Sequence, residues 1–215
     1  MDLMDHRLAS SMKTLLIHAL RSEAGLIKQF YPHISVPQAS SSLDLKFLND
    51  DFDILRTGVG LKRCNSVLQK IVDPERYSRV IHFGVSGSLS HELKINQLVE
   101  GYQFIAVDKP TITFSKTNLH DFEQVPAVSF ISSDKAITSD ISRLQAVGLG
   151  GQAVDMESYA VAHFCVEHNL DLLALRCISD QAGDTTEADF KQHYSKAAAT
   201  LQTFLMKHVL AGPKI

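Results

Sequence analysis

The stretch that decides the fold is residues 154–184, VDMESYAVAHFCVEHNLDLLALRCISDQAGD. Its first half spaces small and apolar residues at helical intervals, and Asp155 is placed to cap that helix. Its second half, residues 170–178, is a mostly apolar segment typical of a buried strand. Ligands bind at the carboxyl ends of strands in α/β sheets, so Glu157 and Asp180 are predicted to meet at one site.

The rest of the chain alternates between strand and helix patterns. Residues 13–20 predict a central strand, followed by a helix that Ser22 could cap. The glycine turn at 57–60 predicts a strand-to-helix connection, and alternation over 98–114 indicates antiparallel strands. Residues 187–209 predict a long amphipathic helix. This order predicts an α/β fold, a three-layer α/β/α sandwich around a mixed central sheet.

Length and composition indicate one domain. The chain has 215 residues, of which 45% are hydrophobic, enough for one full core. We assign residues 13–215 to this domain and residues 1–12 to a flexible N-terminal extension. The net charge of −3 gives no reason to expect a nucleic-acid partner, and the apolar run at 14–20 is too short for a membrane span. Three widely spaced cysteines in apolar segments indicate reduced thiols and a cytoplasmic protein.

Two motifs in this order, Val-Asp-Met-Glu-Ser at 154–158 and Leu-Arg-Cys-Ile-Ser-Asp at 175–180, resemble the signature of the nucleoside phosphorylase/nucleosidase superfamily. From about residue 14 onward, the chain is most similar to its 5′-methylthioadenosine/S-adenosylhomocysteine nucleosidase branch. The resemblance implies the same sandwich fold and a hydrolase that releases adenine from a 5′-substituted adenosine without a cofactor. It also implies a homodimer, for which the apolar content of 98–114 is a second argument. The segment between 86 and 132 is shorter than in the family and apparently lacks a helix.

Cleaving an N-ribosidic bond requires a proton for the departing base, a partner for the cationic sugar and a positioned nucleophile. By resemblance, Asp180 protonates adenine at N7, and Ser179 and Arg176 orient its carboxyl group. Glu157 hydrogen-bonds the ribose hydroxyls, and Met156 lies against the sugar, although Met156 could equally be a core residue.

The third acid is Glu23. His-Ala-Leu-Arg-Ser-Glu at 18–23 is similar to a Gly-Ala-Met-Glu-Glu-Glu motif of the family, and the kept last glutamate implies a base that activates water. Each acid also has a structural explanation, because acids favour the first turn of a helix and Asp180 could be a loop acid. The prediction therefore depends on Glu23, Glu157 and Asp180 together.

The second glycine turn departs from the family pattern. A strand over 79–83 is predicted to end at Gly-Val-Ser-Gly, where Val85 replaces the family's Ser or Thr. The hydroxyl group has either moved to Ser86 or is lost, which disfavours tight phosphate binding. Lys62 and Arg63 could meet an anion or form a solvated helix face.

The loop for the base also differs. Residues 132–137 align with a family loop whose Phe stacks on adenine, and Ala136 stands at that position. Ile137 is kept as a candidate for backbone contacts to the base edge. Phe130 or Phe83 could supply the missing ring.

Other functions stay open at this point. Within the superfamily these are a phosphate-dependent phosphorylase, a futalosine or aminodeoxyfutalosine hydrolase of menaquinone synthesis, and an adenosylhopane-cleaving nucleosidase. The Gly-Val-Ser-Gly turn of this chain resembles the glycine turn of the adenosylhopane-cleaving enzymes. A non-catalytic purine-binding module is a further alternative. The presence of all three acids disfavours it, because a binding module does not need a base that activates water. His163 and Glu167 lie one helical turn apart, but without a His-Glu-x-x-His pattern we predict no metal site.

Overall fold

The computed structural model describes residues 12–31, 44–117 and 123–210, so the predicted extension lies almost entirely outside the described residues. The strands are β1 Lys13–His18, β2 Asp44–Phe47, β3 Phe52–Arg56, β4 Tyr77–Ser88, β5 Leu98–Ile105, β6 Ile112–Thr113, β7 Ala127–Ser132, β8 Ala153–Asp155 and β9 Asp171–Asp180. The α-helices are α1 Gly25–Phe30, α2 Leu61–Ile71, α3 Asp140–Gly148, α4 Ser158–Glu167 and α5 Thr186–His208. Short 3₁₀ helices cover Arg21–Ala24 and Pro74–Arg76.

All of these strands belong to one mixed sheet, as predicted. Its order is β2-β3-β1-β4-β8-β7-β5-β6, and β9 pairs with both β4 and β5. Strands β3, β1, β4 and β9 run parallel, whereas β5 pairs antiparallel with β6 and β9. Because β9 joins β4 to β5, the strands β4, β8, β7, β5 and β9 close into a ring.

Helices cover the sheet on two sides. Helices α1 and α5 pack through Ile27, Leu201 and other apolar residues onto one face, and α2 and α4 pack onto the opposite face. Side chains alternate along β4 between these faces: Val80 belongs to the α2/α4 side, whereas Ile81 and Phe83 belong to the α1/α5 side. Burial on both faces explains why the central strands form continuous apolar runs.

Three local predictions needed correction. Ser22 does not cap a helix, because the chain first forms a 3₁₀ turn with Leu20 at its N-cap. β4 does not end at Phe83 but continues through the glycine segment to Ser88. Residues 98–105 lie inside the sheet between β7 and β9, so their apolar content is explained within one chain and gives no argument for a dimer.

Other expectations agree with the structure. The residues described between β4 and β7 contain no helix. All three cysteines are buried and none forms a disulfide with another. Within the described ranges, no helix combines the length and the apolar character needed to cross a membrane.

Candidate active site

The three acids singled out from the sequence line one cavity of about 350 Å³. The cavity lies at the carboxyl ends of β1, β4 and β9, which run parallel to one another. Glu23 reaches it from the 3₁₀ helix after β1, Asp180 ends β9, and Glu157 directly precedes α4. The predicted binding residues that also line it are Val85, Ser86, Ala136, Ile137, Met156 and Ser179.

The carboxylate of Glu23 is buried and held by three backbone N–H groups. Its Oε2 accepts from Ala19 at 3.0 Å and from Leu20 at 2.7 Å, and its Oε1 accepts from Val85 at 3.1 Å. Burial raises the pKa of Glu23, while the N–H groups and the Arg176 guanidinium lower it in part. The carboxylate is therefore fixed in place and more basic than in water, as a base that activates water requires.

Asp180 lies at an irregularity of the sheet. The register of β9 against β4 shifts by one residue here and leaves Ser179 without a paired residue on β4. Ser179 Oγ donates to Asp180 Oδ2 at 2.8 Å, and the Ala182 N–H donates to Oδ1 at 3.0 Å. Burial raises the pKa of Asp180, against the effect of these two bonds. A carboxyl group that keeps its proton to higher pH is suited to protonate a leaving base.

Glu157 is buried between the first glycine turn and α4. It occupies the N-cap position of α4, but its side chain makes no capping hydrogen bond. Its Oε1 instead accepts the N–H of Gly60 at 2.7 Å, and Gly60 has φ 106°, which other residues rarely adopt. Burial and then the Asp155 carboxylate raise the pKa of Glu157 to about 8. Near neutral pH this side chain is therefore largely protonated and can both donate and accept hydrogen bonds.

Arg176 does not orient Asp180, which corrects the prediction. Its buried guanidinium pairs with Asp155 at 2.8 Å, lies 2.8 Å from Nδ1 of His82, and donates to the His82 carbonyl at 3.0 Å. Asp155 in turn accepts the N–H of Ser158 at 3.1 Å, although Glu157 and not the predicted Asp155 occupies the N-cap position. Arg176 and Asp180 are four residues apart and would share a face in a regular strand. The irregularity at Ser179 turns Asp180 to the opposite face. Arg176, a residue of β9, thus connects Asp155, just before α4, to His82 of β4.

The end of β4 divides the cavity. A Cβ at Gly84 would lie 2.7 Å from Glu23 Oε1, and a Cβ at Gly87 would lie 2.6 Å from Asp180 Oδ1. These residues are three apart, so they face opposite sides of the sheet. Both carboxyl groups need glycine there to approach the strand. We call the two parts of the cavity the Glu23 side and the Asp180 side.

The loop predicted to contact the base separates this cavity from a larger cleft of about 890 Å³. Lys135, Ala136 and Ile137 line both spaces. The Ile137 carbonyl accepts from Thr186 Oγ at 2.9 Å. That carbonyl is therefore held by α5.

The ring that lines the cavity is neither of those predicted. Phe83 and Phe130 are fully buried. Phe83 packs toward α1 and α5, and Phe130 stacks on Phe104 with ring centroids 6.5 Å apart. The cavity is instead lined by Phe190 of α5. Phe190 falls within residues 187–209, which the sequence predicts as an amphipathic helix, and its place on the apolar face of that helix is the one signal in the sequence.

Among the described residues, no group of three or more His, Cys, Asp or Glu side chains is arranged so that it could hold a metal ion. His163 Nδ1 lies 3.2 Å from Glu167 Oε2, and both side chains are about half exposed.

Comparison with known proteins agrees with this geometry. Residues 129–211, which contain β8, α4 and β9, match the model of the phosphorylase superfamily. The predicted resemblance to this superfamily is confirmed. A 5′-methylthioadenosine/S-adenosylhomocysteine nucleosidase from a Marinomonas species is 25% identical over 92% of this chain and 97% of its own length.

Two solved structures share the fold over nearly their whole length. The Helicobacter pylori 5′-methylthioadenosine/S-adenosylhomocysteine nucleosidase with butyl-thio-DADMe-Immucillin-A has a TM-score of 0.82, with 20% identity over 94% of this chain and 99% of that one. A structure described as the native futalosine hydrolase of Helicobacter pylori has a TM-score of 0.81, with 20% identity over 93% and 98%. The predicted α/β fold is therefore confirmed.

Proposed function

We propose that this chain is an enzyme that hydrolyses the N-ribosidic bond of a 5′-substituted adenosine and releases adenine. The observation that carries the proposal is the convergence of Glu23, Glu157 and Asp180, each more than nine-tenths buried, on one cavity. About 350 Å³ suits a small-molecule site. Buried acids with raised pKa values in a cavity are typical of functional sites, and the nucleosidase names of the relatives support the same chemistry.

The proposed reaction uses each acid differently. Asp180 gives its proton to N7 of adenine as the bond between N9 and C1′ breaks and its electron pair goes to the base. Water adds to C1′ and gives a proton to Glu23. Glu23 then releases this proton to solvent, and solvent returns a proton to Asp180, so both groups are regenerated. Glu157 hydrogen-bonds the ribose hydroxyls while Met156 packs against the sugar. No cofactor takes part in these steps.

The charge of the cavity supports water as the nucleophile rather than phosphate. A phosphate dianion would meet the Glu23 carboxylate, and among the residues that line the cavity Lys135 is the single cation. Neither Lys62 nor Arg63 lines it. The repulsion between like charges in a buried site would oppose phosphate binding.

The proposal leaves open which 5′ substituent the substrate carries. Our second candidate beside methylthioadenosine is aminodeoxyfutalosine, with a place in menaquinone synthesis. A fold neighbour that is a futalosine hydrolase supports a substrate of the futalosine class. The test is a panel of methylthioadenosine, S-adenosylhomocysteine, 5′-deoxyadenosine and aminodeoxyfutalosine, with adenine release followed by chromatography. We expect release from at least one. Release from none would overturn the proposed function.

A symmetric homodimer in the cytoplasm is part of the same proposal. It is supported by the resemblance. Analytical ultracentrifugation at micromolar concentration should show a dimer. A fully active monomer would contradict this assembly.

A further inference from the structure

The Glu23 carboxylate depends on a short segment that follows β1. The N–H groups of Ala19 and Leu20 donate to its Oε2 at 3.0 and 2.7 Å. The pairing of β1 with β3 ends at His18, so Ala19 and Leu20 lie just outside the sheet. Strand pairing therefore does not fix these two N–H groups, and other contacts must hold them in place.

The side chain of His18 supplies one such contact. His18 is fully buried. Its Nδ1 lies 2.8 Å from the carbonyl oxygen of Leu20, and its Nε2 lies 3.2 Å from Nζ of Lys28 in α1. A carbonyl group only accepts hydrogen bonds, and an ammonium group only donates them. Both neighbours therefore require the same form of His18, which is the neutral ring with its hydrogen on Nδ1.

Leu20 is thus held at both of its backbone groups. Its N–H donates to the Glu23 carboxylate, whereas its carbonyl accepts from His18 Nδ1 and from the backbone N–H of Glu23 at 3.1 Å. The His18 ring also packs against Phe83 of β4, with ring centroids 5.6 Å apart. A ring held between α1 and β4 therefore fixes the backbone that holds Glu23.

This contact is a feature of the present sequence rather than of the motif it resembles. The Gly-Ala-Met-Glu-Glu-Glu motif has glycine at the position of His18, and glycine has no side chain that could donate to the Leu20 carbonyl. The motif therefore does not explain why a buried histidine stands at this position.

We infer that His18 positions the base: by donating from Nδ1 to the Leu20 carbonyl, it fixes the two N–H groups that hold the Glu23 carboxylate. The inference rests on the proposed function. His18 does not line the cavity, so it acts through Glu23 and takes no part in proton transfer. Without this bond, the Glu23 carboxylate is held less firmly on its side of the cavity and activates water less often.

Asparagine and glutamine separate the two contacts of the ring. The amide nitrogen of asparagine is as many bonds from Cα as Nδ1 is, so His18→Asn keeps a donor for Leu20 and loses the contact with Lys28. In His18→Gln the amide group takes the place of Nε2, so the contact with Lys28 is kept and the one with Leu20 is lost. Both variants lose the ring, so a difference between them does not come from packing against Phe83.

The kinetic constants of the two variants should differ. We expect His18→Gln to lower kcat about 5–10-fold, with KM within about twofold of wild type, because a bond that positions the base is lost. His18→Asn should keep kcat within about twofold of wild type. Hydrogen exchange of the Ala19 and Leu20 amides should be faster in His18→Gln than in His18→Asn.

The pH profile of kcat/KM gives a readout that a loss of stability does not move. The backbone N–H groups lower the pKa of Glu23, so a looser hold should raise it and move the acidic limb of the profile to higher pH. We expect this shift in His18→Gln only. The other groups that interact electrostatically with Glu23, which are Arg176, Glu157 and Tyr194, are the same in both variants.

Ser129 offers a matched control for stability. It is buried in β7, does not line the cavity, and donates from Oγ to the carbonyl of Gly150 at 2.6 Å. Ser129→Ala therefore also removes a buried bond from a side chain to a backbone carbonyl. We expect a melting temperature lower by about 2–4 °C, with kcat within about twofold of wild type and an unchanged pH profile.

Nitrogen NMR of the wild-type protein tests the inference even if His18→Gln does not fold. We expect the hydrogen of the His18 ring on Nδ1, and a hydrogen on Nε2 instead would overturn the inference. Equal turnover in His18→Asn and His18→Gln would also overturn it and leave the proposed function standing. A raised KM with unchanged kcat in His18→Gln would assign the bond to substrate binding and overturn it as well. No release by wild type from any nucleoside of the panel would overturn both proposals.

Discussion

Replacing Glu157 by glutamine should stabilise the protein at alkaline pH while it damages the site. The pKa of Glu157 is raised from 4.5 to about 8, first by burial and then by Asp155. The unfolded chain loses this proton near pH 4.5, whereas the folded protein keeps it to about pH 8. Between these values the folded state binds more protons, so stability falls as pH rises through this window, and the loss is complete above it.

The size of the effect follows from the shift. At 1.36 kcal/mol per pKa unit, the rise corresponds to an upper limit of about 5 kcal/mol. Glutamine does not ionise, and its side-chain oxygen can still accept the N–H of Gly60. We therefore expect Glu157→Gln to lie within about 1 kcal/mol of wild type near pH 5 and to be more stable by about 2–5 kcal/mol near pH 9.

Urea unfolding at a series of pH values gives this difference directly. Glu75→Gln, at an exposed position, is the control and should show a flat difference across the same range. Parallel stability curves for wild type and Glu157→Gln from pH 5 to pH 9 would refute the reasoning. Glu157→Gln should also show a higher KM and a lower kcat, because the ribose contacts form partly in the ground state.

The acids and the base loop give the other predictions. Asp180→Asn should retain nucleoside binding in calorimetry but lose turnover by about 10²–10⁴-fold, and near wild-type turnover would exclude the acid role. Ser179→Ala should lose less, about 3–10-fold in kcat, because one hydrogen bond to Asp180 is removed, and no change would show that this bond does not orient the acid. Glu23→Gln should bind nucleoside but lose turnover, measured by adenine release, and an active variant would exclude Glu23 as the base. Ala136→Phe should tighten adenine binding by about 0.5–1.5 kcal/mol, and unchanged affinity would mean that Phe190 already fills this space.

The parts of the site that could be predicted are those set by local sequence. Strand ends follow from apolar runs, and Glu23 and Asp180 stand at or just after such ends, so their meeting follows from a parallel sheet. Glu157 was predicted at the start of the helix before β9, which a helix–strand unit brings to the same edge. The Ser179 contact to Asp180 involves neighbours in the chain. Gly60 lies in a recognisable turn, although its bond to Glu157 spans distant segments.

The parts that were missed depend on contacts between distant segments. The partner of Arg176 is Asp155 because the register of β9 shifts at Ser179, and nothing in the local pattern predicts such a shift. The extension of β4 through its glycines depends on pairing with β8 and β9. The position of Phe190 depends on how α5 packs over the end of the sheet, which an apolar helix face alone does not define.

The central claim, that water cleaves the N-ribosidic bond, is tested most directly by the sugar product formed from methylthioadenosine as phosphate is varied. Adenine release is followed over many turnovers in phosphate-free buffer and in buffer with phosphate, and the sugar is identified by mass spectrometry. The Glu23 carboxylate and the presence of a single cation, Lys135, in the cavity lining predict the same rate in both buffers and the free sugar as product. A rate that requires phosphate, or a sugar 1-phosphate as product, would contradict the account.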